Sequence, residues 1–155
     1  MLVKNSVIRT KVTKPGMPVC EVFAECGRAR VQALPFVDGK GRLAGRVTLK
    51  NIMKLACLPD YMVVSAPLLG SFLSCVDDAQ AKIGQILDSA VDRYVRELQV
   101  SIGPDEPAIK ALAIMEQNDT SYLFVVEEGE YQGIITIQGI AEQMSRMYTS
   151  PQPLD

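Results

Sequence analysis

Two threonines stand where a chain can hold an anion. Thr48 follows the run Leu43–Val47 and precedes Leu49-Lys50-Asn51-Ile52, and Thr136 follows Tyr131–Ile135 and precedes Ile137-Gln138-Gly139-Ile140. A threonine at a helix start can turn its hydroxyl to a bound phosphate. The first free backbone N–H groups and the positive end of the helix dipole favour an anion at the same place. Arg46 and Lys50 flank Thr48, whereas Ile134 and Gln138 flank Thr136, so cations accompany the first threonine and not the second. The plainer reading makes both threonines simple N-caps, worth about 1 kcal/mol each to their helices, and makes Arg46 and Lys50 ordinary solvated charges.

The two threonines belong to two copies of one sequence unit. Gly41–Ile52 recurs as Gly129–Ile140, in register and without a gap. Upstream, Leu34-Pro35-Phe36-Val37-Asp38 lies over Tyr122-Leu123-Phe124-Val125-Val126 at the same offset, and one residue of slippage then brings Pro18–Ala24 over Pro107–Ala113. A duplication implies a pseudo-twofold pair with clefts where the copies meet.

The elements that carry these residues read as follows. In the first copy Ser6–Thr13 is extended or loop-like, and a helix runs from Pro18 to about Cys26 with Val19, Val22 and Phe23 on one face, ended by Gly27-Arg28-Ala29-Arg30. Strands at Val31–Val37 and Leu43–Val47 flank a turn at Asp38-Gly39-Lys40-Gly41, and Thr48 caps the next helix. The second copy repeats the plan: Val100–Ile102, a helix from about Glu106 to Gln117, strands at Tyr122–Val126 and Tyr131–Ile135, and a helix from Ile137 to about Met147. Each copy is β-α-β-β-α, which makes the fold class α/β (α+β). The expected division is 1–54 for the first unit, 55–98 for a helical connector, 99–148 for the second unit and 149–155 for a flexible tail. Within the connector, helices are expected around Leu68–Cys75 and Ala79–Leu87.

Composition narrows the function. A chain of 155 residues buries enough apolar surface to fold without metal or disulfide staples. A net charge of −2 with scattered Lys and Arg argues against nucleic-acid binding, which needs a clustered cationic surface. The chain has no histidine, and its four cysteines (Cys20, Cys26, Cys57, Cys75) form no C-x-x-C pair, so common zinc frameworks lack their ligands and a nucleophile lacks its usual base. The expectation is no metal, no required cofactor and no enzyme activity. The N-terminus lacks a signal-peptide core. Tyr61–Val76 is uncharged but is broken by Pro67 and Gly70 and falls short of the ~20 residues of a spanning helix, so no membrane insertion is expected. Its apolar surface is expected at a homodimer contact or a partner docking surface.

A tandem β-α-β-β-α unit whose second hairpin strand runs into G-x-x-T-x-x-(D/N) resembles the CBS domain, named for cystathionine β-synthase, in the paired form called a Bateman module. The resemblance rests on Gly45-Arg46-Val47-Thr48-Leu49-Lys50-Asn51 and Gly133-Ile134-Ile135-Thr136-Ile137-Gln138-Gly139, each after a hairpin and before a helix. It implies two pseudo-twofold-related units packed sheet to sheet, without catalysis of their own. It further implies that adenosine-containing ligands (AMP, ADP, ATP, S-adenosylmethionine) bind between the sheets as regulatory ligands and that modules dimerise.

On that resemblance the residue three positions after the threonine faces the ribose, where the family has an aspartate. Asn51 offers one acceptor oxygen and an NH₂, and so holds a diol through neutral hydrogen bonds about half as strong as charged ones; Asn51→Asp is expected to strengthen the grip. Gly139 offers no side chain. The expected nucleotide site is therefore Thr48, Asn51, Lys50 and Arg46, with Leu34 and Pro35 against the adenine and Thr13 facing the cleft. A weaker second site comprises Thr136, Gln138, Tyr122 and Ser101. The leading expectation is a stand-alone cytoplasmic CBS pair, a homodimer that binds an adenine nucleotide and signals to a separately encoded enzyme or transporter. The alternative, from a different class, is a structural subunit that docks such a partner without nucleotide.

Overall fold

The structure, a computed structural model, describes residues 1–58, 64, 67 and 82–149. The expected helix at Leu68–Cys75, most of the uncharged Tyr61–Val76 segment and residues 150–155 lie outside them. Two compact units are present, Lys11–Glu97 and Met1–Thr10 with Leu98–Asp155. Each is built as the repeat implies.

In the Lys11–Glu97 unit, helix α1 spans Val19–Ala29. Pro18, which has no N–H to leave unsatisfied, is its N-cap. Val19, Val22 and Cys26 recur at helical spacing and are buried. Gly27 does not end this helix. The end comes at Arg30, in the left-handed conformation (φ 55), whose N–H bonds to the Cys26 carbonyl. Strands β1 (Ala33–Val37) and β2 (Leu43–Thr48) pair antiparallel. Their turn is held by the Asp38 carboxylate, which accepts from the backbone N–H of Lys40 (2.8 Å) and Arg42 (3.0 Å). Helix α2 spans Leu49–Cys57. Residues 82–88 are also helical, which overlaps the expected Ala79–Leu87 helix and runs one residue past it; residues 79–81 lie outside the described residues.

In the other unit β3 (Ser101–Ile102) pairs parallel to β4 (Tyr122–Glu127), which pairs antiparallel to β5 (Glu130–Thr136). Helices α3 (Ala108–Gln117) and α4 (Ile137–Thr149) complete it, and α4 includes Thr149, the first residue of the expected tail. Leu123, Val125 and Ile135 alternate towards one sheet face, where they pack with Ile102, Ala111, Met115 and Ile140.

Two findings go beyond the expected plan. The first is an exchange of short straps. Residues 91–96 precede the second repeat in sequence yet pair with the first: Arg46 and Arg96 exchange backbone hydrogen bonds of 2.9 Å. Residues 3–8 lie at the head of the first repeat in sequence yet pair with the second: Ile8 and Ile134 exchange bonds of 2.8 and 2.9 Å, and Val3 is fully buried in that core. Both straps begin with a 3₁₀ turn, Val3–Ser6 and Val91–Tyr94. The expected grouping of 1–54 and 55–98 therefore differs from the structural units at both straps. The physical reason is two missing side chains. A Cβ on Gly45 would stand 2.7 Å from the Arg96 carbonyl oxygen, and one on Gly133 would stand 2.6 Å from that of Ile8, so only glycine lets the strap backbone reach the sheet.

The second finding is a register shift within the repeat. Ala33 pairs with Thr48 and Tyr122 with Thr136, so Leu34 is the counterpart of Leu123, not of Tyr122. The one-residue slip lies in the hairpin: five residues separate Val37 from its partner Leu43, and four separate Val126 from Tyr131. A one-residue slip exchanges sheet faces, and it decides which candidates share a surface.

Candidate functional site

Thr48 leaves β2 with extended geometry (φ −118, ψ 144), and its hydroxyl oxygen accepts from the Asn51 N–H at 3.1 Å. A hydroxyl that accepts this bond keeps its own proton to donate to an anion. Lys50, in the first turn of α2, is exposed. Arg46 lies two residues before Thr48 on β2, so the two share a sheet face. Its Nε donates to the Glu97 carbonyl at 3.0 Å, which holds the guanidinium against the strap. Asn51 is only 8% exposed, and its amide nitrogen donates to the Tyr94 carbonyl at 3.1 Å. The side chain expected at a ribose thus commits one of its two N–H donors to the strap.

Cross-strand pairing groups the remaining residues. Pro35 lies opposite Arg46 and Ala33 opposite Thr48, so these four share a face; Leu34 lies opposite Val47 and shares the other. Leu34 is 1% exposed and lines a cavity with α1 residues, on the helix side of the sheet. The structure therefore sets Thr48, Arg46 and Pro35 on one face of the hairpin and Leu34 on the other. Thr13 is fully buried and donates its hydroxyl to the Pro35 carbonyl at 2.8 Å, which reinforces its isolated parallel bridge to Phe36 of β1.

The second copy has the same cap and little else. The Thr136 oxygen accepts from the Gly139 N–H at 2.9 Å, and Thr136 is 8% exposed. Gln138 is exposed, with its amide donating to Glu142 at 3.2 Å. Tyr122 is buried and packs on Phe124 with ring centroids 5.5 Å apart. Ser101 is exposed, and the structural counterpart of Thr13 is its neighbour Ile102, since Thr13 pairs with Phe36 and Ile102 with Val125.

One charged centre escaped the sequence reading. Glu25 is 5% exposed on the buried stripe of α1, three residues after Val22, where an acid interrupts the apolar spacing; that interruption was its only signal. Its carboxylate accepts from the Lys11 N–H at 2.9 Å and from two nitrogens of Arg28, Nε at 2.8 Å. It borders the cavity of about 420 Å³ that Leu34, Glu21, Met17 and Lys11 also line. The Arg28 hydrogen bonds, opposed by burial and helped by the Lys11 N–H, hold its carboxyl at about 2, against an ordinary value of 4.5. Its pKa is lowered in the fold, so its stabilisation is complete above pH 4.5 and is lost as pH falls towards 2. Arg28 is exposed and screened, which limits the effect to about 1–2 kcal/mol. Urea unfolding at pH 6 and pH 3 should show that loss in the wild type and less of it in Glu25→Gln; an equal acid loss in both would remove Glu25 from the explanation.

Comparison with known proteins places this geometry. The CBS domain family model matches the chain twice, over residues 6–57 and 94–146. An "uncharacterized 17.7 kDa protein in bps2 3′ region" of Acidianus ambivalens is 24% identical over 153 residues, covering 96% of this chain and 77% of that one. The fold is similar to that of the CBS domain of a CBS domain containing membrane protein from Sphaerobacter thermophilus (TM-score 0.66, 14% identity, 92% of this chain and 86% of that one). It is also similar to CBSX2, solved in complex with AMP (TM-score 0.65, 17% identity, 94% and 97%). A third similar structure is the CBS domain pair of protein MJ0100, solved with 5′-methylthioadenosine and S-adenosyl-L-methionine (TM-score 0.60, 17% identity, 95% and 98%).

Proposed function

This chain belongs to the CBS domain family, as a tandem pair of such domains, and from that premise we propose that it is a regulatory module that binds an adenosine-containing ligand through the start of α2. The observation that carries the reading is the Thr48 hydroxyl, which caps the helix with its oxygen and keeps a proton for a phosphate or carboxylate, with Arg46 and Lys50 beside it. Thr136 has the cap without the cations, so the two copies are unequal and the first is the binding copy. The ligand class draws support from the two fold relatives solved with adenosine compounds. Pro35, on the face of Arg46 and Thr48, is the better neighbour for a base than Leu34. In this reading the module is a cytoplasmic homodimer whose occupancy is sensed by a separately encoded enzyme or transporter.

Calorimetry against AMP, ADP, ATP and S-adenosylmethionine tests it. Binding should weaken about tenfold, about 1.4 kcal/mol, in Lys50→Gln and in Thr48→Ser less, while Thr136→Ser leaves it unchanged. Absence of heat and of thermal shift at millimolar ligand in the wild type would overturn the reading.

A second reading keeps the family and removes the ligand. The Asn51 amide is engaged with the Tyr94 carbonyl, and the matching position of the second copy is glycine, which suits a structural subunit that docks a partner independently of nucleotide. The same calorimetric null result would favour it.

A further inference from the structure

The two straps are held alike by their backbones and unlike by side chains. Each lies on a glycine of its sheet, Gly45 or Gly133, and each exchanges two backbone hydrogen bonds with the following residue, Arg46 or Ile134. Over the strap of residues 91–97 two side chains then close: Asn51 donates to the Tyr94 carbonyl and Arg46 to the Glu97 carbonyl. Over the strap of residues 3–8 the residues at those places are Gly139 and Ile134, which have no donor to offer. Among the described residues Ser6, the counterpart of Tyr94, has a buried hydroxyl oxygen without a hydrogen-bond partner. A Cβ on Gly139 would stand 3.6 Å from the Ser6 carbonyl oxygen, near enough for a short amide side chain to reach it.

We infer that Asn51, with Arg46, is a latch that sets how long strap 91–97 stays docked, and that Gly139 leaves the other strap unlatched. Asn51 is thus a positioning residue at the place where the family resemblance expects a ligand contact. The latched strap runs directly into Leu98, where the chain leaves the Lys11–Glu97 unit for the other. Its residence on β2 therefore governs how firmly the connecting chain is anchored at one end. The latch shares Arg46 with the proposed nucleotide site, but both donors close on the strap without ligand, so the latch does not depend on nucleotide binding.

Hydrogen exchange of the full chain, without ligand, tests the latch by moving it. In Asn51→Ala, which keeps a good helix former in α2, the amides of residues 91–96 should exchange at least tenfold faster while those of residues 3–8 keep their rates. In Gly139→Asn the amides of residues 3–8 should slow several-fold while those of residues 91–96 keep theirs; the Cβ lies 3.2 Å from the Thr136 hydroxyl oxygen, so a shift of a few tenths of an ångström admits it. Unchanged strap rates in a folded Asn51→Ala protein would overturn the inference. Equal acceleration of both straps in that variant would also overturn it, because a general loss of stability, and not a local latch, would then be the cause.

Discussion

Gly45→Ala should cost the protein about 3 kcal/mol, at the upper end of what overpacking a close contact usually does. The added methyl would stand 2.7 Å from the Arg96 carbonyl oxygen and 2.7 Å from a methyl of Val95. The first of these is backbone and cannot swing away. Relief requires the strap to lift off β2, and that breaks the two 2.9 Å bonds between Arg46 and Arg96 and exposes the fully buried Val91. Gly27→Ala is the control. Gly27 lies in α1 with nothing within 4 Å of the new Cβ, so alanine there should stabilise, by up to about 1 kcal/mol through helix propensity. Urea denaturation of both variants decides the matter: opposite signs are expected, and a loss below about 0.5 kcal/mol in Gly45→Ala would show that the strap is not held by this close approach.

Asn51→Asp should destabilise by about 2 kcal/mol near neutral pH, although the exchange is isosteric and restores the acid of the family motif. The aspartate cannot donate to the Tyr94 carbonyl. It leaves that buried acceptor unpaired and sets a carboxylate oxygen against it, in a site 8% exposed. The charged form is the disfavoured one, so the new carboxyl's pKa is raised in the fold above its unfolded value of about 3.9. A protonated aspartate can donate to Tyr94 as the amide does. The deficit relative to wild type should therefore be small below the unfolded value and grow as pH rises through the folded one. Denaturation of both proteins at pH 4 and pH 7 checks this. A variant as stable as wild type at pH 7, with tighter adenine-nucleotide binding, would mean that the carboxylate turns to a ribose and that the strap does without the bond.

The sequence by itself determined the duplication, the β-α-β-β-α order of each copy, the hairpins and the caps at Thr48 and Thr136. These depend on local causes that a linear reading detects: apolar periodicity, residues that tolerate positive φ at turns, and a hydroxyl that meets the N–H three residues on. Only the tertiary structure decided what Gly45, Gly133, Asn51, Leu34 and Glu25 do. A glycine in a strand reads as a weak point until the backbone that fills its missing Cβ is seen, and the straps that fill these two come from far along the chain or from its beginning. Leu34 and Pro35 read as one adenine wall, but one residue of difference in hairpin length sets them on opposite faces. Asn51 reads as a weakened ribose ligand because its spacing from Thr48 is all the sequence shows; the Tyr94 carbonyl that accepts its hydrogen bond lies 43 residues away. Periodicity places a side chain on a face, but the partner that satisfies it is chosen by contacts between distant segments, and there the chain's order carries no signal.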